Sequence, residues 1–326
     1  MQTKLYPLQF EPIFKYRIWG GNRLKDKLNK AITEDNIGES WEISAVKGDE
    51  TLVKNGALKG YSLIQLIEEF QADFLGKSVI EKFGTDFPLL IKFIDAETPL
   101  SIQVHPSDEL AKERHQSFGK NEMWYIMEAN ADAEIIVGFK EQITKEIYSQ
   151  KVESNEILSV LNTIPVQKGD VFNIPTGRVH AIGAGTILAE IQQTSDITYR
   201  IYDYNRVEAS TGKPRELHTE LAVDAIDFEV IPDYKTPYEV VKNKLKPLVE
   251  TPYFVSTIVK VEAEMQLDLS SIDSFVILMA VEGDCVAIYE NIEYQIPYGS
   301  TLLLPNQMDS IMLQSTSEAL VVMVHV

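Results

Sequence analysis

The chain has 326 residues, 44% hydrophobic and 24% charged, proportions that allow a sizeable core and exclude disordered, collagen-like and low-complexity classes. Its 49 acidic and 30 basic residues give a formal charge of -19, a field that repels polyanions and makes nucleic acid an unsuitable partner. The single cysteine, Cys285, excludes an intrachain disulfide and a thiolate zinc site and fits a reducing, cytoplasmic setting.

From the N-terminus, Pro7, Glu11 and Pro12 interrupt the apolar stretch that an export signal needs. Apolar runs such as Phe275 to Val281 fall short of the roughly 20 residues that cross a bilayer, so no membrane partner is expected. Between Ser62 and Phe83, Leu63, Leu66, Ile67 and Phe70 recur at helical spacing and predict a helix or a helix pair. From Leu89 to about Tyr204 the pattern changes to short β-rich runs bounded by Pro, Asp, Asn and Gly. Gly212 to Ile231 is partly helical, with Leu217, Leu221 and Ala225 four apart. After Lys246 the β pattern returns and continues to the end.

A faint repeat links the two β-rich halves. Gly169-Asp170-Val171-Phe172-Asn173-Ile174-Pro175 and Gly299-Ser300-Thr301-Leu302-Leu303-Leu304-Pro305 share one phase, in which His180 corresponds to Ser310. Turn, strand, Pro-bearing corner and strand is the phrase of a small antiparallel barrel. The expected fold is mainly β: two cupin-like (jelly-roll) β-barrels with an accompanying helical segment. The divisions fall at residues 1–210, 211–245 as a partly helical connector, and 246–326 as a second barrel lacking metal ligands.

Five histidines limit any imidazole metal site. In LSIQVHPSDE, alternation turns Gln103 and His105 to one face of a strand. Glu122 stands at the mouth of the next strand, in GKNEMWY, and His180 opens the strand after the Pro175 corner. Two imidazoles, a carboxylate and an amide oxygen form a nitrogen and oxygen set suited to Zn2+ or a similar divalent ion. Each residue alone has a structural alternative as a hydrogen-bonded core side chain. Lys92, inside the apolar run LLIKF, requires a buried partner or a functional reason. Trp19 and Trp124 read as core or rim aromatics, and His115, His218 and His325 carry no assigned chemistry.

The segments PLLIKFIDAETPLSIQVHPSDELA, GKNEMWYI, GRVHAIGAG and QQTSDITYRIYDYNR, with GESWEIS upstream, resemble the successive motifs of type I mannose-6-phosphate isomerases of the short bacterial class. The similarity runs from about Phe10 to the C-terminus. It implies cupin-like barrels and one zinc per chain on Gln103, His105, Glu122 and His180. It also implies interconversion of mannose 6-phosphate and fructose 6-phosphate through a cis-enediol. Arg200 resembles the family's active-site arginine, and Asp196 one of its acidic site residues; Lys92 and Lys120 are the candidate cations for the sugar phosphate. Gly119 stands where longer members carry a histidine, so that histidine cannot be the base; Lys120, a zinc-bound water, Glu190 and Asp196 remain open for that role. Two other classes use such a barrel, a metal-dependent oxygenase and a non-catalytic sugar-phosphate-binding protein. The ligand set fits the first poorly, and the intact cations argue against the second.

Overall fold

The structure, a computed structural model, describes residues 4–209 and 211–326. It is mainly β, as expected. In Leu89–Ala96 and Thr186–Gln193 every side chain is buried, the mark of strands covered on both faces. They pair antiparallel from Thr186 opposite Ala96 to Gln193 opposite Leu89. Around them a six-stranded sheet runs in the order Val171–Ile174, Glu122–Ala129, Thr186–Gln193, Leu89–Ala96, Ile37–Ile43, Ile13–Tyr16. A five-stranded sheet has the order Leu161–Pro165, Glu134–Phe139, His180–Ile182, Ile102–Val104, Tyr199–Tyr202.

Alternation along these strands decides what faces what. In the six-stranded sheet, Leu89, Ile91, Phe93, Met123, Tyr125 and Ala189 belong to one core, while Ile94, Trp124, Ile126 and Leu188 belong to another. The second core is shared with Ile135, Val137 and Ile182 of the five-stranded sheet, so the two sheets face each other. Lys92, Glu122 and Glu190 are in phase with Ile94, Trp124 and Leu188 and therefore lie on the inner face. The outer side of the five-stranded sheet, through Ile102, Val104, Ala181, Tyr199 and Ile201, packs on Tyr148 of helix Lys145–Glu153 and Ala222 of helix Thr219–Ala225. That leaves Gln103, His180 and Arg200 pointing inward.

The predicted helical stretch is a pair, Leu63–Leu75 and Lys77–Phe83. Ser62 and Gln65 form a reciprocal capping box at its start. Gly76, at φ 95°, makes the break, and a Cβ there would overlap the backbone of Asp273. The stripe Leu63, Leu66, Ile67 and Phe70 is buried in the core on the outer side of the six-stranded sheet.

In the second half, seven strands include the path Lys246–Glu250, Val255–Asp268, Ser310–His325, Val276–Glu282, Thr301–Leu304, and the hairpin Cys285–Tyr289 with Ile292–Ile296 joins Ser310–His325. The repeated phrase recurs in space. Gly169 and Gly299 both adopt positive φ, 90° and 74°, Val171–Ile174 and Thr301–Leu304 follow, and His180 and Ser310 each open the next strand. Ile174 is paired with Glu122 and Leu304 with Val276, so the counterpart of Glu122 is Val276.

The region after Gly212 is partly helical, as predicted. Its helix covers Thr219–Ala225 and buries Ala222, while Leu217 and Leu221 of the four-residue spacing are exposed. The chain then follows the sheet edge, with Thr236 N–H donating to Val171 O at 2.8 Å and Tyr238 Oη to Gly169 O at 2.6 Å. Among the described residues, no helix is long and apolar enough to cross a membrane.

Candidate active site

Gln103 is the register partner of His180 on one side and of Arg200 on the other, so three inward side chains stand abreast on neighbouring strands. His105 follows just past the strand end. Glu122 comes from the opposing sheet, and its Oε1 lies 3.3 Å from His105 Nε2 while its Oε2 lies 3.7 Å from His180 Nε2. All three residues are buried, and among the described residues their ligand atoms lie within 4.8 Å of one another.

The protonation of this cluster is set from outside it. His105 Nδ1 is 2.8 Å from the carbonyl of Ile197, and His180 Nδ1 is 2.8 Å from the carbonyl of Arg178. A carbonyl only accepts, so each Nδ1 carries the proton and each Nε2 turns a lone pair inward. Burial, reinforced by Lys120, pushes the His105 imidazolium down to about 4, and burial also lowers His180. For Glu122 burial opposes ionisation, but the Lys120 ammonium outweighs it and holds the carboxyl well below its ordinary value. Neutral imidazoles and an ionised carboxylate are the forms that ligate a metal.

Acceptors therefore face acceptors at van der Waals range, an arrangement that calls for a cation between them. Glu122 Oε2 is buried without a hydrogen-bond partner. Lys120 meets the need in part, bonded to Glu122 and 3.4 Å from His105 Nε2. Gln103 Nε2 lies 3.2 Å from His180 Nε2, and an amide flip exchanges its nitrogen for its oxygen. The donor set fits a divalent ion of borderline softness.

Above the cluster opens a cavity of about 400 Å3, with Gln103 and Lys120 shared between the two. All four remaining expectations line it, Lys92, Lys120, Asp196 and Arg200, beside Gln103. Lys92 has the buried partner its sequence context demands, Glu190 Oε1 at 3.1 Å, and its Nζ sits 5.2 Å from the Trp41 ring. Glu190 Oε2 accepts from Trp124 Nε1 at 3.0 Å, so Glu190 serves Lys92 and Trp124 rather than a ligand histidine. Trp124 stands edge-on to His180, ring centroids 5.4 Å apart. Arg200 donates from Nη1 to Glu216 O at 2.8 Å, and its Nε is buried without a partner. Asp203, the acid nearest in sequence, is taken by Arg206 and by both Nε and Nη2 of Arg215, at 2.8 and 2.6 Å. Asp196 is exposed at the rim.

Among the lining residues, Arg17, Glu39, Trp41 and Arg215 were not singled out in the sequence. Glu39 accepts from Arg17 through both oxygens, at 3.0 and 2.9 Å, and from Trp41 Nε1 at 2.7 Å. Burial would raise its carboxyl, but Lys92 and Arg17 dominate and bring it down to about 2. The GESWEIS segment contained the signal, since alternation puts Glu39 and Trp41 on one face. Arg215, braced by Asp203, lines the cavity from a stretch that reads only as connector; nothing in its sequence marks it.

This arrangement, a ligand cluster at the base of a polar cavity between two antiparallel sheets, has close relatives. The family model for the phosphomannose isomerase type I catalytic domain matches residues 7–154. The mannose-6-phosphate isomerase ManA of Bacillus subtilis is 37% identical over 318 residues, 97% of this chain and 98% of that one. The mannose-6-phosphate isomerase of Streptococcus mutans is 35% identical over 306 residues, 93% and 94% of the two chains. The crystal structure of the mannose 6-phosphate isomerase from Bacillus subtilis superimposes with a TM-score of 0.88 at 33% identity, covering 98% of this chain and 99% of that one. Fold and site together define an enzyme of the cupin-type isomerase class. Within that class, the chain belongs to the type I phosphomannose isomerase family.

Proposed function

We propose that the chain interconverts mannose 6-phosphate and fructose 6-phosphate through a cis-enediol, with one Zn2+ held by Gln103, His105, Glu122 and His180. The observation that carries this reading is the convergence of buried acceptors, one of them unpartnered, beneath a cation-lined cavity. Bound there, zinc would supply Lewis acidity to a sugar oxygen. The cavity lies within the roughly 300–1,000 Å3 range of small-molecule sites. Lys92 and Lys120 bind the anionic substrate, and Asp196 accepts from a sugar hydroxyl at the rim. Arg200 stabilises the enediolate oxygen, because a guanidinium keeps its charge at any working pH and its unpartnered Nε has a proton to donate. For Lys120, burial lowers its ammonium, but Glu122 and Glu190 outweigh burial and raise it.

In this reading residues 1–210 are the catalytic unit, 211–245 a connector and 246–326 a barrel without metal ligands. Work in the cytoplasm belongs to the same reading, supported by the lone, buried thiol of Cys285. The test is to incubate chelator-stripped protein with mannose 6-phosphate in heavy water, with and without zinc, and to follow the sugar by proton NMR. Zinc-dependent fructose 6-phosphate carrying exchanged deuterium is the expected result. No conversion with any divalent ion would overturn the reading.

A further inference from the structure

Tyr199–Tyr202 is an edge strand of the five-stranded sheet, and an edge leaves main-chain donors and acceptors to be satisfied by other means. At Arg200 both are met by one residue. Arg200 N–H donates to His218 Nδ1 at 3.1 Å, and His218 N–H donates to Arg200 O at 2.7 Å. Two residues earlier, Glu216 O accepts from Arg200 Nη1 at 2.8 Å. His218 is itself fixed, because its carbonyl receives Ala222 N–H at 2.9 Å and so starts helix Thr219–Ala225. That helix packs through Ala222 on the outer face of the same sheet. The backbone and the guanidinium of Arg200 are thus held by one short segment anchored to a helix.

We propose that His218 is a positioning residue for Arg200, acting through the Nδ1 acceptor and through the Glu216 carbonyl that its anchoring places. This rests on the reading of Arg200 given above. A residue that fixes the direction of a transition-state cation affects the chemical step more than substrate affinity. An ordinary edge contact would affect only stability. Of the amide side chains, asparagine offers an acceptor at the reach of Nδ1, whereas glutamine reaches toward the place of Nε2.

The experiment measures kcat, KM, thermal midpoint and bound metal for the zinc-loaded full chain and for His218→Ala, His218→Asn, His218→Gln, Arg200→Ala and Arg200→Ala combined with His218→Ala. The expected result is a fall in kcat of about tenfold in His218→Ala, about 1.4 kcal/mol of barrier, with KM and metal content near wild type. His218→Asn should recover most of that loss and His218→Gln should not, a comparison that still decides if His218→Ala fails to fold. In the Arg200→Ala background, losing His218 should cost no further turnover. Additive losses there, or equal losses in the Asn and Gln variants, would overturn the proposal while leaving Arg200 in its role. Wild-type turnover in Arg200→Ala would overturn the role of Arg200 itself, and the positioning proposal with it.

Discussion

Glu122 shows how much one side chain can depend on charges around it. Its carboxylate is ionised, buried and short of a partner at Oε2, so Glu122→Gln should abolish metal retention and turnover together, as read by metal content after dialysis. Lys92 poses the opposite case. Removing its ammonium in Lys92→Ala leaves Glu190 charged and unpaired inside the sheet, a loss of about 3–5 kcal/mol, visible as a lower denaturation midpoint, while Lys92→Ala with Glu190→Gln should recover much of it. For Glu39 the effect depends on pH. Its folded value of about 2 lies below the ordinary 4.5, so its contribution is fully present above pH 4.5 and fades as pH falls towards 2. Over that window the shift amounts to about 3 kcal/mol, and the stability gap between wild type and Glu39→Gln should narrow between pH 5 and pH 2.5. The convergence of His105, Glu122 and His180 was legible because few histidines compete and strand alternation limits where side chains point, and Lys92 because an ammonium inside an apolar run is conspicuous. The bidentate Arg17–Glu39 pair was not, since nothing local connects residues 22 apart that meet across two strands.

At the scale of elements, His180–Ile182 carries the proposed ligand His180 at its first residue and is only three residues long, so its placement depends on what limits it. Gly183 ends it, and a Cβ there would overlap the carbonyl oxygen of Glu134. Gly183→Ala should push this strand away from Glu134–Phe139 and lower both the thermal midpoint and zinc affinity, the second measured by competition with a chromogenic chelator; an unchanged zinc affinity would show that His180 is placed independently of that contact. The helix pair was readable from its stripe. The partly helical character of the connector was readable from residues four apart, but not what it brings to the site. Its contribution to the cavity, Arg215, depends on an ion pair with Asp203 formed only after folding.

Across the whole molecule, one core joins the halves. Leu89, Ile91 and Met123 from the catalytic sheet share it with Phe70 and Phe74 of the helix pair and with Ile277, Met279, Val322 and Val324 of the second half. Removing residues 246–326 would strip that shared face of its cover, so the remaining chain should lose its cooperative thermal transition and bind a hydrophobic dye such as ANS; a cooperative transition near that of the full chain would show the first half to be self-sufficient. The repeat made two similar halves legible from sequence, but their packing against each other was not, since each apolar strand face reads alike whether it covers a helix or a sheet.

Val276, standing where the first half has Glu122, lies in a core with Val259, Leu278, Leu304 and Leu313, whereas Ser310, at the place of His180, is half-buried and out of phase with Ile311 and Leu313 of that core. An interior with no ligand to keep accepts most apolar side chains of similar volume, whereas one oxygen out of place at residue 122 ends the chemistry. Among descendants of one ancestor, the outline of the second half should therefore outlast its spelling, and the first half should carry most of the recognisable ancestry.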